Sequence, residues 1–84
     1  MGKWDKLLDR ILQGRSDADI LFEDLCGLLV RLGFDSRTRG SHTVFRRPGI
    51  PEKPNLQRSG NKAKPYQVRQ IRDIILKYKL GDEI

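Results

Sequence analysis

The spacing of apolar residues changes period twice along this chain of 84 residues, and nothing else restricts its fold as strongly. Trp4, Leu7, Leu8, Ile11 and Leu12 recur at helical spacing, and Gly14 stands where a left-handed stop belongs. This predicts an amphipathic helix over residues 3–13. Leu21, Leu25, Leu28, Leu29 and Leu32 mark one face of a second helix, with Cys26 beside it. Leu32-Gly33-Phe34 reads as its end, Gly33 turning left-handed and Phe34 folding back onto the last turn. The period then drops to two. Residues 34–39 and 41–47 alternate and carry β-branched or aromatic side chains, with Gly40 between them for a tight hairpin or bulge. Residues 48–54 are a turn-rich connection, and Asn55 to Arg58 form a candidate third strand. Residues 59–64 read as a loop. Pro65 suits a helical first turn, and Val68, Ile71, Ile74, Ile75 and Tyr78 form a stripe running to about Leu80, with Gly81 as its stop.

The predicted architecture is α+β, in the order helix, helix, three antiparallel strands, helix. The second and third helices cover one sheet face and leave the other open. The length predicts one domain over residues 1–84, with its core at about 20–80 and the first helix an addition to it. No apolar run approaches the roughly 18–20 residues a membrane-spanning helix needs. The opening residues lack the basic-then-apolar layout of a signal peptide. A single cysteine excludes an internal disulfide framework and suits a reducing cytoplasm.

The net charge of +6 is unevenly placed. Residues 1–30 carry −2, residues 31–79 carry +10, and the last five carry −2. A positive field concentrated on half a small domain attracts polyanions and speeds their encounter.

Few side chains suit chemistry. One His and one Cys, sixteen positions apart, do not supply the four ligands of a structural zinc site, and no cofactor motif is present. Cys26 in an apolar stripe reads as a structural thiol. Asp17, Asp19, Glu23 and Asp24 read as matching the dipole of a helix start. Arg69, Arg72, Lys77 and Lys79 read as the solvated face of the last helix, and Trp4 and Tyr66 as anchors of theirs. His42 stands apart. It lies on a predicted strand, sharing a face with Val44 and Arg46, while Thr43 and Phe45 point the other way. Imidazole can take and return a proton near neutral pH. RNA carries its own nucleophile, the 2′-hydroxyl beside each phosphate, so a base and cations that neutralise the phosphate suffice for metal-free cleavage. Arg37, Arg39, Arg46, Arg47, Arg58, Lys62 and Lys64 are the candidate RNA-binding cations.

From Phe22 to Leu80 the chain resembles the HicA (YcfA-like) toxins of bacterial toxin–antitoxin pairs. The resemblance is carried by Phe22-Glu23-Asp24-Leu25-Cys26, Leu32-Gly33-Phe34, Arg39-Gly40-Ser41-His42 with Val44-Phe45-Arg46, and the run from Gly60 to Ile71. It implies a fold similar to the double-stranded-RNA-binding domain, cleavage of mRNA, and neutralisation by a HicB-type antitoxin. The family's catalytic histidine maps onto His42, and its supporting glycine and serine onto Gly40 and Ser41. A further histidine found near the third strand in many members is missing here, which leaves Lys64 or a water to protonate the leaving group. The alternative is a non-catalytic RNA-binding module of the same fold. A third reading is a protein-interaction domain that uses the open sheet.

Overall fold

The computed structural model describes residues 2–83, and each helix forms where the apolar stripe and its punctuation agree. Helix α1 (Lys3–Gln13) opens with the Asp5 carboxylate accepting from the Gly2 N–H at 3.1 Å. It closes on Gly14, at φ 71°, whose N–H donates to Ile11. After a short 3₁₀ turn over Asp17–Asp19, helix α2 (Phe22–Arg31) begins. Its end has the double bond of a left-handed cap: Gly33, at φ 90°, donates to Val30, and Phe34 donates back to Leu29.

Four antiparallel strands follow, β1 (Asp35–Arg39), β2 (His42–Arg46), β3 (Asn55–Ser59) and β4 (Lys62–Ala63), in the spatial order β1-β2-β3-β4. The sheet therefore has four strands where three were expected. The fourth arises because Gly60 and Asn61 form a two-residue turn that brings Ser59 opposite Lys62 and Arg58 opposite Ala63. On its far side the β4 segment meets the chain before α2, where Ala63 donates to Ile20 and Phe22 donates to Asn61. Helix α3 (Pro65–Lys77) has Pro65 in its first turn. It stops short of the expected Leu80, because Lys79 takes a left-handed φ of 56° and turns Leu80 back into the core. No helix among the described residues is long and apolar enough to cross a membrane.

The core lies between the helices and one face of the sheet. Phe45, Leu56 and Ala63 supply the sheet side, and Leu25, Leu28, Leu29, Val68, Ile71 and Ile75 the helical side. Helix α1 joins this core through Leu7, Leu8 and Ile11, so three helices form the cover where two were expected. Strand β1 is exposed along its whole length, since the helices reach only as far as β2.

Two polar contacts pin the helices. Arg72 of α3 makes a two-pronged ion pair with Asp17, at 2.9 and 3.2 Å, and also donates to the Ile11 carbonyl at the end of α1. Both side chains are largely buried, so Arg72 ties three segments together and is no solvated surface residue. Trp4 lies against Gly27 of α2, where an added Cβ would come within 2.4 Å of the indole rim. A glycine in a helix normally gains about 0.5–1 kcal/mol on replacement by alanine. Here we expect Gly27→Ala to destabilise by about 1–3 kcal/mol in chemical denaturation, because the ring must be displaced. In a Trp4→Ala background the same substitution should become stabilising.

Candidate nucleic-acid interface

Residues that face each other across an antiparallel ladder share a sheet face, so the register fixes which side chains assemble. Arg39 opposes His42, Arg37 opposes Val44, and Asp35 opposes Arg46. On the other side of β2, His42 opposes Gln57 and Val44 opposes Asn55. Phe45 points into the core, so this set points away from the helices, onto the open face. The alternation places His42, Val44 and Arg46 together, with Thr43 and Phe45 opposite, as the sequence predicts. His42 is exposed, and no side chain among the described residues hydrogen-bonds its imidazole. Arg37, Arg39, Arg46 and Lys53 line a shallow depression of about 300 Å³ floored by Val44. Asp35 is the one carboxylate on this face of β1 and β2, and it makes no ion pair with Arg46 among the described residues.

Beside His42 lies a chain of polar contacts that the sequence did not single out. Gln57 donates to Ser41 Oγ at 3.4 Å and accepts from Lys64 Nζ at 3.3 Å. Its backbone is held in turn by Gln67, the only polar residue in the buried class among the described residues, at 1% exposure. With its amide oriented to match its neighbours, oxygen toward donor and nitrogen toward acceptor, Gln67 donates to the Gln57 carbonyl and accepts from the Gln57 N–H, both at 3.0 Å. These are the bonds a neighbouring strand would make. β4 has ended at Ala63, and a side chain continues the ladder in its place. The arrangement presents one imidazole, one ammonium, one hydroxyl and one amide at adjacent positions, with guanidinium groups at the side. Such a set can exchange a proton and neutralise a phosphodiester.

The candidate cations do not all gather here. Arg47 turns inward and donates to the Leu32 carbonyl at 2.8 Å, where it holds the end of α2 to the sheet. Arg58 lies on the helical side, over the Phe22 ring at 4.8 Å and 3.9 Å from Glu23. Lys62 donates to Asp19 at 2.5 Å, a bond that holds the Asp19 carboxyl below its ordinary range. Asp17 and Asp19 thus serve as partners of Arg72 and Lys62, in addition to any dipole effect on α2. Lys77 and Tyr78 both bond Glu52, and these bonds hold its carboxyl below the usual range. Gly40, at φ 59°, makes the reversal between β1 and β2, and Ser41 sits at its end. Lys53, Gln57 and Gln67 are additions from the structure. The alternation of β3 would have placed Gln57 beside His42 once the register was known.

On the opposite side, between α2 and β1–β2, Cys26 borders an open groove of about 550 Å³ with Val30, Ser36, Thr38 and Thr43. Burial pushes its thiol up from 9.0 to about 11. No family model, curated protein or solved structure matches this chain.

Two outcomes follow. At pH 8 Cys26 should react with iodoacetamide about 100-fold more slowly than in the denatured chain, since two units of raised pKa remove that share of thiolate. Gln67→Leu should lower stability by about 1–3 kcal/mol in urea unfolding, because it leaves the Gln57 N–H and carbonyl unpaired.

Proposed function

We propose that this chain is a metal-independent endoribonuclease, the cytoplasmic toxin of a HicA-type toxin–antitoxin pair that cleaves mRNA. The observation that carries this reading is the exposed His42 set beside the Gln57–Ser41–Lys64 contacts, on a sheet face whose other charged side chains are almost all cationic. His42 removes the proton from a 2′-hydroxyl. The oxygen attacks the adjacent phosphorus, closing a 2′,3′-cyclic phosphate and expelling the 5′-oxygen, which takes up a proton from Lys64 or a water. Lys64 and Arg39 offset the charge that builds on the phosphate oxygens, and Gln57 keeps the ammonium in place. A HicB-type antitoxin would neutralise the toxin by covering this face. The resemblance to HicA toxins supports the reading through Arg39-Gly40-Ser41-His42, which forms the end of β1, its turn and the start of β2.

The deciding experiment incubates a mixed-sequence RNA with the purified protein in excess EDTA, beside a His42→Ala variant. The parent should cleave, and the variant should be slower by a factor of about 10²–10⁴ while binding RNA as tightly. Intact RNA with both proteins, together with salt-dependent binding, would sink the nuclease reading in favour of a passive RNA-binding module of this fold.

A further inference from the structure

We propose that the β1–β2 ribbon carries a track for three successive phosphates of a single-stranded polynucleotide, leading away from His42 in one direction only. The proposal relies on the nuclease reading solely for placing the scissile bond at His42; the binding half stands without it. The cations sit at successive levels of one ladder: Arg39 beside His42, Arg37 beside Val44, and Arg46 opposite Asp35, with Lys53 joining Arg46 in the same depression. Levels on one face are two residues apart, roughly 6.6–6.8 Å. That is close to the separation of neighbouring phosphates in an extended single strand.

Three further features fix the class of ligand. First, the cations form a single line. On this face the neighbouring strand offers Asn55, Gln57 and Ser59, with the one ammonium of Lys64 held at Gln57, because Arg58 belongs to the helical side. A duplex would set its second line of phosphates over uncharged side chains, with Lys64 the single cation beneath it. Second, apart from His42, this face of β1 and β2 carries no aromatic ring, so bases gain no stacking platform there and the backbone is what is recognised. Third, the ribbon ends at the Gly40–Ser41 turn one residue from His42, so the line of cations can extend only toward Arg46 and Lys53. Asp35 lies at the last level, and Lys53 offsets it there.

The test uses the whole chain, EDTA, and a fluorescein-labelled 12-nucleotide 2′-O-methyl oligouridylate, whose blocked 2′-oxygens prevent cleavage. Fluorescence anisotropy at several salt concentrations gives the affinity and its salt slope. Each phosphate contact on a single strand contributes about −0.7 to that slope, so the parent should show roughly −2 to −3. Replacing Arg37, Arg46 and Lys53 by Gln together empties two of the three levels, and should flatten the slope by about 1.4 and weaken binding roughly 25-fold at 0.1 M salt. Replacing Arg31, Arg69 and Lys79 by Gln removes the same charge from exposed positions elsewhere and should leave the slope unchanged. Equal losses in the two triple variants would overturn the track, and so would a duplex of the same length that binds at least as tightly.

Direction is read with a DNA strand holding one central ribonucleotide, in which methylphosphonates remove the charge of three linkages on either side. Cleavage should fall at least tenfold for one side and stay within twofold for the other, and equal losses would overturn the one-sided track. If even the unmodified strand stays intact, the nuclease reading fails, and the anisotropy slopes alone decide whether the track exists.

Discussion

The amide of Gln67 joins the sheet to the last helix where the backbone ladder runs out, and the site depends on that junction. β4 is two residues long, and Pro65, with no N–H to give, starts a helix immediately after it. Without a substitute, the outward N–H and carbonyl of Gln57 would be left unpaired against the core. Gln67 bonds both. The same residue lies one position before Val68, whose side chain is fully buried, so one turn of α3 anchors the core and supplies a strand-like edge. The consequence reaches the open face. Once its backbone is fixed, Gln57 can hold Lys64 on one side and Ser41 on the other, next to His42.

The division of the sheet into a dry and a wet face explains the rest of the charge distribution. A domain of this size has apolar side chains enough to cover one face, and its three helices are spent on that cover. Cations with carboxylate partners are found where elements meet: Arg72 with Asp17, Lys62 with Asp19, Lys77 with Glu52. Those on the open face have almost none. The uneven charge of the sequence is therefore sorted in space into cations that hold the fold and cations free to meet an anion. Arg37, Arg39, Arg46 and Lys53 are of the second kind.

Much of this could be read from the residues in order. The C-terminal ends of α1 and α2 followed from Gly14 and Gly33, because a left-handed cap is a local event that needs no distant partner. The alternation of β2 placed His42, Val44 and Arg46 on one face for the same reason. The fourth strand was missed although Gly60-Asn61 is a recognised hairpin turn, since two residues are too few to show a period. The end of α3 was overrun because the apolar stripe continues to Leu80, which does reach the core, though after the helix has ended.

The sequence by itself determined the class of fold, the punctuation of its first helices, the excess of cations in its second half and the singular position of His42. Each of these rests on spacing or composition over a few neighbouring residues. Only the tertiary structure decided which cations are available. Arg47, Arg58 and Lys62 look no different in the sequence from Arg37, Arg39 and Arg46. Their partners, Leu32, Glu23 and Asp19, lie 15 to 43 positions away and meet them only when the helices close over the sheet. The pairing of His42 with Gln57, and of Gln57 with Lys64 and Gln67, depends likewise on strand register. Register is set by how the buried faces of β2 and β3 pack, a property of the assembled core.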